Sequence, residues 1–297
     1  MQIVHHPDYQ IPLRPGHRFP MSKYGYVRTA LAEAGLLPPA GYLAPAPISA
    51  PQASMAHDPG YVARVFGNGL AAEEVKRLGL PDTPKVTRRA RLASAGTLLA
   101  GWLAIEHGLA LNTAGGSHHA TGPGGAGFCV FNDVAVAVCN LLAQGAPAPV
   151  LVVDADVHQG DGTARIFAED PRVFTFSIHA ARNYPDQKAR SDLDIALEDG
   201  LEDDDYLASF ARGLDQALER AAPRMVFYNA GVDVFGGDRL GRLRLSLEGI
   251  RAREAHLLRT IRGAGLPLVC VLGGGYGAPD EVARRHLILF EEASRHV

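Results

Sequence analysis

A chain of 297 residues, 47% of them hydrophobic, with a formal net charge of −3, is long enough for one or two domains and has no cationic surplus for a nucleic-acid backbone. Three widely spaced cysteines, Cys129, Cys139 and Cys270, build no disulfide framework and point to a reducing compartment. The first residues lack the basic flank and apolar core of a signal peptide, and no apolar run is long enough to span a bilayer. The expectation is a soluble cytoplasmic protein with no nucleic-acid or membrane partner. No Gly/Ser-rich or charge-rich linker divides the chain, so residues 1–297 are read as one domain.

In chain order, residues 1–5 read as a strand and 22–35 as a helix. The Pro- and Ala-rich stretch 36–54 reads as an ordered connection. Asp58 is placed to cap a short helix carrying Tyr61, Val62 and Phe66. The amphipathic pattern over 85–107 stops at Gly108. A strand at Leu109–Asn112 leads into a glycine-rich stretch, 115–127. A helix at 132–144 precedes the strand 149–154, apolar over Val150-Leu151-Val152-Val153, and another strand covers 173–178. Then come a helix at 204–221, a strand at Met225–Asn229, a helix at 246–263, a strand at 266–272 and a helix at 279–293. This alternation predicts an α/β fold, a parallel sheet covered by helices on both faces. The acidic stretch 192–205 is weighed as an attractor for a basic peptide and read instead as a solvated edge and helix start.

The polar motifs sit where strands end, which is where open α/β sheets bind ligands. Asp154-Ala155-Asp156-Val157-His158-Gln159-Gly160-Asp161 follows a buried strand, and that much buried negative charge needs a cation or donors to offset it. Asp156 and His158, two apart on an extended backbone, point the same way and suit one metal ion. Asp233, in Asn229-Ala230-Gly231-Val232-Asp233, would complete an Asp2His set, three ligands with an open position, the pattern of a catalytic metal. Taken alone, Asp233 reads equally as a loop cap. His118-His119, in a glycine-rich loop, reads alone as a solvated pair and in context as bases or ligands. Gly273-Gly274-Gly275-Tyr276-Gly277 has no Lys-Ser or Lys-Thr after it, which excludes a P-loop. It leaves a tyrosine whose hydroxyl could reach an oxyanion.

Taken together and in this order, these motifs resemble those of the histone deacetylase family, from His17-Arg18-Phe19-Pro20-Met21 to Gly273-Gly274-Gly275-Tyr276. Val157-His158-Gln159-Gly160, Tyr228-Asn229-Ala230-Gly231 and Gly236-Gly237-Asp238-Arg239-Leu240-Gly241 look closest to class IV and its bacterial relatives. The resemblance implies a single-domain arginase/deacetylase-like fold with a central, mostly parallel eight-stranded sheet. It also implies a zinc amidohydrolase that removes acetyl or longer acyl groups from the lysine ε-amine of proteins or peptides. By the same resemblance Asp156, His158 and Asp233 are the zinc ligands, with Fe2+ as the other candidate metal. His118 and His119 are the paired histidines, Asp154 and Asp161 their carboxylate partners, and Tyr276 the catalytic tyrosine. Gly127, Phe128, Tyr184 and Gly274 are assigned to the substrate channel, and Arg18 to an inner cavity for the acyl product. A K+ or Na+ site is expected from Asp154, Asp156, His158 and Ser177. Three alternatives stay open: a deacylase of small acylated amines such as acetylpolyamines, a dinuclear manganese hydrolase of the arginase type, and a non-catalytic binder of acyl-lysine or acyl-amines. Oligomeric state is not legible.

Overall fold

The computed structural model describes residues 1–38 and 41–296. Among these, seven strands form one sheet: β1 (Gln2–Val4), β2 (Leu109–Asn112), β3 (Val150–Asp154), β4 (Val173–Ala180), β5 (Leu193–Leu197), β6 (Met225–Asn229) and β7 (Leu268–Val271). Their order is β1-β2-β7-β6-β3-β4-β5, and every neighbouring pair is parallel. The helices are α1 (Lys23–Glu33), α2 (Ala50–Ala53), α3 (Pro59–Gly67), α4 (Ala72–Leu78), α5 (Pro84–His107), α6 (Asp133–Ala143), α7 (Asp161–Phe167), α8 (Asp203–Ala221), α9 (Leu247–Gly263) and α10 (Pro279–Ser294).

Strand β3 shows how the sheet is covered. All five of its residues are buried, yet they divide by the two-residue period of a strand. Val150 and Val152 face the layer built by Leu92, Val134 and Val138 of α5 and α6. Leu151 and Val153 face Val27, Phe210, Leu257 and Leu289 of α1, α8, α9 and α10. Burial on both faces explains why β3 reads as a continuous apolar run rather than an alternating one.

Local signals set the helix ends. Thr83 caps α5 through its hydroxyl and Val86 N (3.4 Å), Pro84 opens it, and Gly108 closes it at φ 84°. Ser246 caps α9 through Gly249 N (3.0 Å) and donates its hydroxyl to Asp203 Oδ2 (2.6 Å), which ties the starts of α8 and α9 together. Asp58 occupies the capping position of α3, but its side chain makes no capping bond.

The sheet departs from the expected eight, mostly parallel strands. It has seven among the described residues, all parallel. On the β1 edge only Leu43 bridges to Val4. Pro45 and Pro47 lie just beyond and have no N–H with which to continue a ladder. Within the expected connection 36–54, residues 39 and 40 lie outside the described residues and α2 is an added single turn. Three further elements went unread in the sequence: α4 and α7, each only seven residues, and β5. The acidic stretch holds that edge strand and the first turn of α8. Two of its carboxylates are engaged beneath the edge: Asp192 accepts from Thr175 N (2.8 Å) and Asp194 from Gln159 Nε2 (2.8 Å), while Asp204 and Asp205 stay exposed.

Candidate active site

Four adjacent strands, β2, β7, β6 and β3, end beside one another and deliver the polar motifs to one place. One ligand atom each from Asp156, His158 and Asp233 lies within 4.8 Å of the others, and all three residues are buried. No second such group of His, Cys, Asp and Glu side chains occurs among the described residues. His158 Nδ1 faces Asp156 Oδ1 at 2.9 Å and Asp233 Oδ2 at 3.1 Å. Burial opposes a charge on this imidazole, but the two carboxylates outweigh it and raise the His158 pKa to about 10. Burial and then the neighbouring Asp156 push the Asp233 carboxyl up. Two carboxylates converging on one nitrogen thus form a place that draws positive charge. The donor set, two oxygens and an imidazole, fits a divalent zinc or iron ion.

The backbone is shaped to this cluster. Gly274 has φ +50°, and a Cβ there would run into the Asp233 carboxylate and lie 2.6 Å from Asp156 Oδ2. Its carbonyl accepts from Lys23 Nζ. Gly274 therefore lies against the Asp156 and Asp233 carboxylates and borders the inner cavity; it does not line the outer channel.

Beside the cluster stand the paired histidines, ring centroids 4.1 Å apart. His118 Nδ1 donates to Asp154 Oδ2 and His119 Nδ1 to Asp161 Oδ1, both at 2.7 Å. These bonds fix each tautomer, leaving Nε2 to face the site. The two imidazoles differ in charge. Burial opposes protonation of His118, but Asp154 and Asp156 raise its pKa to about 9. Burial, then the His118 and His158 charges, hold His119 well below the ordinary value. The surroundings thus push the two imidazoles in opposite directions. Asp154 is fully engaged: its other oxygen accepts from Asn229 Nδ2 (2.9 Å) and from Asp156 N (3.2 Å). Ser177, also expected in a cation site, pairs with Asp154 in the β3–β4 register, its hydroxyl 2.9 Å from His179 Nδ1.

Tyr276 closes the far side, its ring perpendicular to His158 at 6.1 Å between centroids. Its backbone N–H donates to Asp238 Oδ2 (2.7 Å), and Asp238 pairs with Arg285 at 3.3 Å. A cavity of about 500 Å3 descends to His119, His158 and Tyr276, with Gly127, Phe128 and Tyr184 in its wall. Gly127 has φ +53°, and a Cβ there would lie 2.6 Å from His119 Cδ2. Tyr184 meets His119 edge-on at 4.8 Å while 43% of its surface stays exposed.

A domain description, the histone deacetylase domain, matches residues 17–292. The chain belongs to the histone deacetylase family. It is 33% identical over 273 residues to histone deacetylase 2 of Arabidopsis thaliana, covering 88% of this chain and 70% of that one. An uncharacterized protein of Picosynechococcus sp. is 44% identical over 292 residues, covering 98% and 97% of the two chains. The crystal structure of the HDA15 HD domain superposes with a TM-score of 0.81 at 22% identity, covering 99% of this chain and 91% of that one; the likeness is one of fold.

Within this deacetylase fold, several residues that border the site escaped the sequence reading. The inner cavity beneath Tyr276 is lined by Lys23 and Arg89. Arg18 was expected there; it is exposed at the outer mouth instead. Arg253 of α9 is fully buried and donates to Ala155 O (3.0 Å), Gly231 O (2.7 Å) and Glu254 Oε1 (2.6 Å). It ties the loop carrying Asp156 to the loop carrying Asp233. A signal for both existed. Lys23 heads the Lys23-Val27-Leu31 stripe of α1, and Arg253 sits in the Ile250-Leu257-Ile261 stripe of α9. A cation on an apolar helical stripe is costly to bury unless it bonds to something beneath.

Proposed function

We propose that this protein is a zinc-dependent amidohydrolase that removes an acetyl or longer acyl group from the lysine ε-amine of a protein or peptide. Family membership supports a deacetylase, a hydrolase of amide bonds. The observation that carries the finer reading is the pair of histidines, each with a carboxylate 2.7 Å from its Nδ1, beside a buried Asp2His cluster at the foot of a cavity.

Asp156, His158 and Asp233 would hold the zinc, which when bound polarises a carbonyl and acidifies water. Fe2+ suits the same donors. His119, neutral with Nε2 free, accepts the proton of the attacking water and returns it to the leaving amine. Asp161 holds its tautomer through the 2.7 Å bond to Nδ1. His118, kept charged by Asp154 and Asp156, stabilises negative charge that develops on the substrate. The Tyr276 hydroxyl, raised far above its ordinary pKa by burial and then by Asp156 and Asp233, stays protonated and donates to the carbonyl oxygen as it becomes anionic. Phe128 and Tyr184 flank the entering alkyl chain, with Gly127 leaving room beside His119. A K+ or Na+ held by Asp154, Ser177 and the backbone of Asp156 and His158 belongs to the same reading. A cytoplasmic site of action accords with unpaired cysteines, two of them buried, and with no described helix being long and apolar enough to cross a membrane.

The test is turnover of acetyl-, trifluoroacetyl- and myristoyl-lysine peptides alongside acetylputrescine, with metal content measured on the same sample. The reading expects about one divalent ion per chain and release of the acyl group as its carboxylate, leaving the peptide with an unacylated lysine. Binding of acyl-lysine peptides without any hydrolysis by the metal-loaded protein would overturn it.

A further inference from the structure

The chain as a whole is slightly acidic, with 32 Asp and Glu against 29 Lys and Arg, yet the mouth of its cavity is not. Arg14, Arg18, Lys76 and Arg77 line it, and no Asp or Glu does. All four are exposed. Arg77 is anchored, its Nε donating to Gly125 O at 3.1 Å. Arg14, Arg18 and Lys76 have no carboxylate partner among the described residues. Of the carboxylates on neighbouring elements, Glu73 of α4 and Asp186 near Tyr184 are exposed but do not line the cavity, while others are engaged. Glu74 of α4 pairs with Arg64 at 2.7 Å, and Asp238 is held by Arg285 and Tyr276 N. Asp186, two residues past Tyr184, acts on Lys188, a further cation on that side. Beyond Arg14 and Arg18 the surface continues into a second groove that adds Arg239 and again contains no acidic side chain.

Like charges gathered without counter-ions around a low-dielectric opening raise the local potential and concentrate anions there. An acyl-lysine whose stem fills the cavity leaves its sequence neighbours at this rim. We propose that the rim of Arg14, Arg18, Lys76 and Arg77 selects acyl-lysines set among Asp and Glu residues, and disfavours acylated polyamines, whose remaining amines are cationic. This deepens the deacylase reading and rests on it for turnover, though not for binding. It also reverses the polarity considered from the sequence, in which the acidic stretch 192–205 would draw a basic peptide.

The experiment uses three peptides with one central acetyl-lysine, flanked by Glu, Gln or Lys, and compares the full-length protein with its R14Q/R18Q/K76Q variant. Fluorescence anisotropy reads affinity and a coupled assay reads kcat/KM. The Glu peptide is expected to bind and react about tenfold better than the Gln peptide at low salt, and the Lys peptide worse than both. That preference should shrink to about one- to twofold in the variant and at about 0.5 M salt. Equal affinity for the three peptides, or preference for the Lys peptide, overturns the proposal. The expected order of affinities without hydrolysis of any peptide supports the rim and removes the deacylase reading instead.

Discussion

At the scale of single residues, the site works by giving chemically identical side chains different surroundings. His118 and His119 adjoin in sequence and each has a carboxylate at 2.7 Å, yet Asp154 and Asp156 raise the pKa of His118 while burial holds that of His119 below the ordinary value. In the proposed mechanism this difference divides a charge-stabilising role from a proton-carrying one. In that mechanism Tyr276 completes the set, and its hydroxyl makes no hydrogen bond to the Asp156 or Asp233 carboxylates. Tyr276→Phe should therefore keep its metal and lose about a hundredfold or more of kcat; metal content and turnover on one preparation check both halves. Gly274→Ala is a test of space. A methyl group there meets both carboxylates and sits on a left-handed backbone, so the variant should bind zinc at least about tenfold more weakly, as read by competition with a chelator.

At the scale of elements, the strand ends bring the groups to one place and buried polar contacts hold them there. Arg253 links α9 to the β3 and β6 loops through two carbonyls and neutralises Glu254, itself fully buried. Removing one partner of such a pair strands the other charge, so Arg253→Met should cost about 3–5 kcal/mol in urea unfolding, and Arg253→Lys less. His57 joins α3 to α6 in another way. Its Nδ1 donates to Thr121 O (2.8 Å) and its Nε2 accepts from Asn132 N (2.9 Å), the residue that caps α6. Only the neutral ring satisfies both, and burial lowers its pKa from 6.5 to about 4. With the folded value below the unfolded one, the unfolded chain takes up the proton first as pH falls. The contribution is intact above pH 6.5 and is lost as pH drops toward 4, about 2 kcal/mol of it by pH 5. His57→Gln, less stable at pH 7, should lose about 2 kcal/mol less than the wild type between pH 7 and pH 5 in the same unfolding measurement.

At the scale of the whole molecule, the two apolar layers are separate clusters that share one sheet, and β3 contributes to both. Neither layer has a face to bury without the other. The chain should unfold as one unit, with fluorescence of Trp102 on α5 and backbone circular dichroism changing at the same urea concentration. Two separated transitions would argue for independent halves.

The sequence alone determined the elements whose signals are local and the chemistry whose residues are close together. Strands β2 and β6 begin and end where their apolar runs do, and α5 runs between a threonine cap and a closing glycine, because burial period and capping are written within a few residues. The Asp-x-Asp-x-His spacing already placed Asp156 and His158 on one side of an extended backbone. Elements too short to show a period, α4 and α7, were not legible, and neither was β5, five residues whose Leu193, Ile195 and Leu197 alternate with Asp194 and Ala196 inside an acidic stretch. Only the tertiary structure decided that β2, β7, β6 and β3 are neighbours, that the sheet has seven strands among the described residues, that Lys23 rather than Arg18 reaches beneath Tyr276, and that four cations ring the opening. Each of these depends on which distant segments touch, and hence on burial and charge summed over the fold, quantities that no window of the chain contains.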